Sequence, residues 1–283
     1  MDVFHSPSCH VLPSQMAKPG VVTLHDLSLV DHLATKRRSP VSRYERAAFL
    51  GAASRATHII TISDTVRREL TERLGVESHR ITTIYPGVPR LEGLPAPGHV
   101  PPQAEGAFLL TVGTIEPRKN LNRLLDAHEM VWRELRLPLL LVGVYGWSQR
   151  ALLRRVAASD GRVFWLGFVS DPVLAELYRR ATAVMQYSSY EGFDLPVAEA
   201  LACGAPLVAS DIPVHREVAR DCAVYAHACD PEALVRAVTE VVRWPEDRRR
   251  SHREAAAARL AELRRGDPIV SHIEVYRRVI EES

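Results

Sequence analysis

From Phe108 to Val242, short uninterrupted apolar runs alternate with segments of helical period. "FLLTVG", "PLLLVG", "RVFWLGF", "TAVMQYS" and "PLVAS" have strand length. Between and after them come "NLNRLLDAHEMVWREL", "ALLRRVAAS", "DPVLAELYRRA", "PVHREVAR" and "DPEALVRAVTEVV". Strands that are apolar throughout, rather than at every second residue, are buried on both faces, which is the condition of a parallel sheet covered by helices. The predicted class is therefore α/β with Rossmann-like βα repetition, and such sheets take ligands beyond the carboxyl ends of their strands.

A sparser version of the pattern occupies the first ninety residues: "DVFHS", "GVVTLHD", a helix near Ser42 to Ser54, "ATHIITIS", a helix from Asp64 to Leu74, and "RITTIYPGV". The Pro- and Gly-dense stretch Pro89 to Ala107 reads as a linker. The expected division is a first domain over residues 1–95, a second over 96–265, and a terminal segment, 266–283, holding a helix from Ile269 to Glu282. Apolar residues of that helix fall at Ile269, Ile273, Tyr276 and Ile280.

Two segments carry chemistry. In "LLTVGTIEPRKN" a buried strand ends at Gly113, and Arg118 and Lys119 stand just ahead of a helix that Asn120 is expected to cap. In "EGFDLPVAEALACGAPLVAS" Pro196 suits a first helical turn and Gly204 its end, so a helix is predicted over Pro196 to Cys203. Its N-terminus, with the amides of Gly192, Phe193, Asp194 and Leu195, offers N–H groups and a positive dipole end to an anion. Charge-assisted hydrogen bonds contribute on the order of 1.5–3 kcal/mol each, so these groups together would dominate diphosphate binding. Glu191 lies ahead of the helix and Glu199 is expected on its first turn, an acceptor suited to the vicinal hydroxyls of a ribose. Taken singly, each feature has an ordinary explanation: a solvated "RK" pair, a loop acid, a carboxylate compensating the helix dipole. Their combination on neighbouring strand ends is what points to a site.

These segments resemble the retaining nucleotide-sugar glycosyltransferases of family four. That family has the GT-B architecture, in which two Rossmann-like domains face a cleft. The resemblance runs from "DVFHSP" and "VVTLHD" through "HIITISD" to the terminal helix and is most specific over Gly113 to Asn120 and Glu191 to Pro206. It implies that Arg118 and Lys119 hold the donor diphosphate, Glu199 the ribose and Glu191 the transferred sugar. It further implies that His25 lies near the reacting sugar, that the last helix crosses back to the first domain, and that neither metal nor cofactor is needed. The implied substrates are a nucleotide-diphosphate hexose, mannose being the first sugar to test, and a glycan or lipid-linked acceptor. Two departures stand out. Many members carry glycine where this chain has Asp194, which is expected to cap the helix or face sugar hydroxyls. Members also usually open with a glycine-rich loop and further βα units, so the N-terminal domain is expected to be incomplete, or completed by a partner chain.

Composition narrows the rest. Lys and Arg number 36 against 34 Asp and Glu, a net charge of +2, which excludes a nucleic-acid-coating protein and makes any anion site local. The four cysteines form no CxxC pair, which fits reduced thiols and a cytoplasmic protein. No segment has the unbroken ~20 apolar residues of a membrane span, and no signal peptide is recognised. The basic run Lys36 to Arg46 is a solvated face or a peripheral contact with anionic lipid at the inner membrane surface. His5, His10, His25 and Asp26 lack metal-site spacing. A nucleotide-sugar epimerase and a non-catalytic nucleotide-sugar-binding subunit are the alternatives to a transferase.

Overall fold

The computed structural model describes residues 2–8, 18–31, 40–146 and 150–283. The chain forms two compact units, Met1–Gly87 together with Arg264–Ser283, and Val88–Leu263. Cys9, His10, Trp147 and the Lys36–Ser39 part of the basic run lie outside the described residues.

The first unit holds four parallel strands in the order β1 (Phe4–Ser6), β2 (Gly20–Leu24), β3 (His58–Thr61) and β4 (Ile81–Thr83). Every residue of β2 and β3 is buried, which is why both read as continuous runs in the sequence. Helices α1 (Ser28–Asp31), α2 (Pro40–Arg55) and α3 (Asp64–Leu74) connect them. In α3 the Ser63 hydroxyl accepts from the Val66 amide at 3.1 Å, and Gly75, at φ 67°, ends the helix in the left-handed region. The helix Pro268–Glu281 belongs to this unit: Val275 and Val279 complete a core with Val21, Ile60 and Ile84. Of the apolar positions noted in the sequence only Tyr276 packs on this core. Ile269, Ile273 and Ile280 are exposed, and the i, i+4 pair Val275 and Val279 takes the inward position, beside Tyr276. The Tyr276 hydroxyl lies 2.6 Å from His5 Nδ1, and His5 Nε2 lies 2.9 Å from Thr23 Oγ1, so a polar bridge fixes which face of the helix meets β1 and β2.

The second unit is built on six parallel strands: β5 (Leu109–Val112), β6 (Leu139–Val142), β7 (Val163–Gly167), β8 (Ala183–Gln186), β9 (Leu207–Ser210) and β10 (Val224–Ala226). Its helices are α4 (Leu121–Leu135), α5 (Arg150–Ala157), α6 (Asp171–Arg180), α7 (Leu195–Ala202), α8 (Pro213–Ala219), α9 (Pro231–Val242) and α10 (Glu246–Leu263). The terminal helix Pro268–Glu281 is then α11. Strand order is β10-β9-β8-β5-β6-β7. The chain therefore walks outward from β5 to β7, returns to lay β8 on the other side of β5, and walks outward again. Pairing of β5 with β8 runs only from Leu109↔Ala183 to Leu110↔Val184. Beyond it the Gln186 side-chain amide donates to the Val112 carbonyl at 3.1 Å in place of a ladder bond. The strands part where the order reverses, which is the crevice that doubly wound sheets use.

The division of the chain falls at Gly87/Val88, not near residue 95, and Pro89 to Ala107 is not a free linker. Leu91 and Ala104 are buried, Arg179 donates to the Leu91 carbonyl at 3.5 Å and Arg180 to that of Glu105 at 3.0 Å. Apolar burial and carbonyl hydrogen bonds stitch the stretch onto α6 of the second unit.

Candidate active site

The site is built where β5 and β8 part. Gly113 ends β5 at φ 145°, and a Cβ on Gly143, the matching glycine after β6, would lie 2.1 Å from the Gly113 carbonyl oxygen. The chain then makes a 3₁₀ turn over Pro117–Lys119 and enters α4 through Asn120, at φ 55°. Asn120 does not cap α4 with its side chain; its Nδ2 donates 2.8 Å to the Ala228 carbonyl instead. The Ser189 amide donates to the Arg118 carbonyl at 2.8 Å, which ties the loop after β8 to this turn.

That tie brings the two sequence segments together. Lys119 is 6% exposed, its stem crossing the space a Gly113 side chain would fill, and its Nζ lies 2.8 Å from Glu191 Oε1 and 2.8 Å from Asp194 Oδ1. Arg118 bonds the other Glu191 oxygen through Nη1 and reaches Glu116 Oε1 at 2.6 Å through Nε. The Ser188 hydroxyl adds a 2.8 Å bond to Glu191 Oε1. Neither cation points away from the 191–196 segment. Burial, the largest single influence on Lys119, disfavours its charge, but the Asp194 and Glu191 carboxylates together outweigh it and raise the pKa.

Asp194 corrects the sequence expectation. It precedes α7 in the left-handed region, φ 66°, makes no side-chain capping bond, and its carboxylate has no exposed surface. His215 Nε2 donates to Oδ2 at 2.9 Å while Lys119 holds Oδ1. Burial pushes the Asp194 carboxyl up, yet Lys119 and His215 hold it far below the usual carboxylate range. With the side chain turned inward, the first-turn amides of α7 receive no cap from it, and Pro196 in that turn has no N–H to satisfy.

Glu199 is also displaced from its expected position. Because α7 begins at Leu195, Glu199 is its fifth residue, in the second turn, and Oε2 accepts from the Tyr178 hydroxyl at 2.9 Å. Burial raises the Glu199 pKa, and the Tyr178 hydrogen bond partly opposes it. Gly192 and Phe193 are buried and Leu195 is half-buried at the mouth of the helix. His25 follows β2 in the first unit, exposed, with Nε2 donating to the Pro7 carbonyl at 2.9 Å. Its assignment to the reacting sugar rests on the resemblance.

Sequence reasoning missed Glu116, Tyr178, Ser188 and His215. For His215 a signal existed: "SDIPVH" places it in the first turn after β9, on the same strand-end edge as Lys119 and Glu191. Among the described residues, no group of three or more His, Cys, Asp or Glu side chains is arranged to hold a metal ion, and no helix is long and apolar enough to cross a membrane.

Known proteins share both the segments and the architecture. The family model for glycosyl transferases group 1 matches residues 99–258, and the model for glycosyltransferase family 4 matches residues 1–90. The chain belongs to the family-four glycosyltransferases. It is 32% identical over 243 residues to O-antigen chain mannosyltransferase B of Escherichia coli, covering 82% of this chain and 63% of that protein. It is 27% identical over 205 residues to O-antigen chain mannosyltransferase RfbU of Salmonella typhimurium, covering 72% of this chain and 56% of that one. It thus spans less than two thirds of either relative. Among solved structures, sucrose-phosphate synthase from Thermosynechococcus elongatus superposes with a TM-score of 0.75 at 22% identity, over 95% of this chain and 70% of that one. Anabaena HepE in complex with UDP and glucose gives 0.71 at 18%, over 91% and 72%. These likenesses are of fold: an α/β chain with two Rossmann-like parallel sheets of the GT-B kind.

Proposed function

We propose that the protein is a retaining, metal-independent hexosyltransferase that moves a hexose, mannose first among candidates, from a nucleoside-diphosphate sugar to a glycan or lipid-linked acceptor in polysaccharide synthesis. The choice of mannose is supported by the two O-antigen mannosyltransferase relatives. The observation that carries the reading is the buried Lys119 ammonium at the strand-order reversal, beside Arg118 and the start of α7, which the Asp194 side chain does not cap. An ammonium has three donors; two are taken by Glu191 and Asp194, and the third serves a phosphate oxygen.

Preorganised cations and a helix N-terminus stabilise the charge that grows on a departing diphosphate. In this reading the bond from the anomeric carbon to the phosphate oxygen breaks and the acceptor oxygen bonds the same face. The acceptor proton passes to the leaving phosphate. Glu199, steered by Tyr178, takes the ribose hydroxyls, and Glu191 the transferred sugar. The test is a panel of nucleotide hexoses incubated with mannosyl oligosaccharide and lipid-linked acceptors. The product is followed by mass spectrometry and its anomeric configuration by NMR. Transfer with retention supports the reading; release of an epimerised sugar without acceptor, or no binding of any nucleoside diphosphate, overturns it.

A further inference from the structure

Asp194 and His215 have no part in the chemistry above, yet both are fully buried and both are wired to Lys119. The wiring closes on itself. The Ser188 hydroxyl bonds Glu191 Oε1; Glu191 bonds Lys119; Lys119 bonds Asp194; Asp194 Oδ2 accepts from His215 Nε2. His215 Nδ1 lies 3.0 Å from both the carbonyl and hydroxyl oxygens of Ser210, and the Ser210 hydroxyl returns to the Ser188 carbonyl at 2.6 Å. Side chains from the ends of β5, β8 and β9 and from the first turn of α8 thus meet in one ring.

Within the ring each carboxylate that Lys119 holds has a second partner. Glu191 keeps Arg118 and the Ser188 hydroxyl, and Asp194 keeps His215. A phosphate bonded to the third donor of Lys119 draws the ammonium away from both carboxylates, and a carboxylate left alone in the interior is costly. We infer that His215 is a positioning residue for donor binding: by holding Asp194 it lets Lys119 turn to the pyrophosphate without stranding a buried charge. This inference rests on the proposed donor site and explains how an acid is tolerated at Asp194, where a left-handed backbone would suit glycine.

A purely structural role for His215 would not share the sign of the effects expected on nucleotide binding. His215→Phe fills the space but cannot donate, so Lys119 becomes the only partner of Asp194. Affinity for nucleoside diphosphates, read by calorimetry with GDP, UDP, ADP and CDP, should fall by about ten- to a hundredfold, the scale of one charge-assisted hydrogen bond. Removing the acid as well, in Asp194→Gly with His215→Phe, should restore affinity to near the wild-type value. His215→Gln, whose amide reaches the position of Nε2, should bind like wild type. Should the Phe variant fail to fold, His215→Asn, whose amide falls short of Asp194, is set against His215→Gln, with melting temperatures recorded for both. Unchanged affinity in folded His215→Phe, or a double variant as weak as the single one, overturns the role of His215. A wild-type protein that binds none of the four nucleotides overturns the donor site itself.

Discussion

The two sheets are made of the same kind of strand, and they differ in order. In the first unit β1 to β4 succeed one another in a single direction, and the histidines on them sit in neutral pairs: half-buried His5 with Thr23 and Tyr276, and buried His58 with Thr82 at 2.8 Å. Burial, the leading cause in each case, lowers the pKa of both histidines and favours their uncharged forms. In the second unit the order reverses between β5 and β8, and there the interior holds Lys119, Glu191 and Asp194 as ions. A uniform progression lets each strand end cover its neighbour. A reversal leaves a gap that backbone cannot fill, and charged side chains bonded to one another fill it.

The comparison breaks most visibly at Lys119. Lys119→Ala should lower kcat by about 10²–10³, the scale of one lost transition-state charge stabiliser. Steady-state kinetics with the preferred donor checks this, and unchanged turnover would falsify the assignment. Gly143→Ala comes next: its Cβ meets the Gly113 carbonyl, so urea denaturation should show a loss of about 1–3 kcal/mol, as for overpacked interiors. Nucleotide affinity should fall with it, since Gly113 carries the Lys119 turn.

Acid sharpens the contrast between the units. The folded-state Asp194 carboxyl titrates below its ordinary 3.8, so its stabilising effect is complete above that pH and is lost as pH falls through the depressed value. His5 and His58 are lowered from 6.5, so their contribution is complete above 6.5 and starts to be lost as pH falls below it. His128 and His252 of the second unit, also lowered chiefly by burial, follow the same course. Melting temperatures from pH 8 to 3 for wild type, Asp194→Asn and His5→Gln should therefore separate: the gap between wild type and Asp194→Asn holds down to pH 3.8 and narrows only below it, whereas that to His5→Gln changes below pH 6.5. The smallest effect is expected at Tyr276→Phe, which removes one half-buried hydrogen bond and about 1 kcal/mol. Nucleotide affinity should be untouched, because Tyr276 bonds His5 and not the Lys119 cluster, and a change in it would contradict that.

Much of this arrangement was readable in the sequence because it is local. The βα alternation, the left-handed Gly204 after α7 and the clustering of cations and acids at strand ends all follow from residue spacing. What was not readable joins residues from separate βα units: His215 to Asp194, Tyr178 to Glu199, Asn120 to Ala228. Spacing fixes which edge of the sheet each residue reaches, but not which of several carboxylates a cation chooses. In the terminal helix, likewise, spacing does not choose the buried face: Ile269, Ile273 and Ile280 stay exposed while Val275 and Val279 are buried.

The inclusion of residues 264–283 in the first unit has a consequence for biogenesis. The second unit is one uninterrupted stretch of chain and can condense as soon as it leaves the ribosome, whereas Val21, Ile60 and Ile84 stay uncovered until Val275 and Val279 arrive. The unit that is started first is therefore completed after the second, and loss of residues 264–283 would leave the core around Val21, Ile60 and Ile84 open while the second unit kept all its strands.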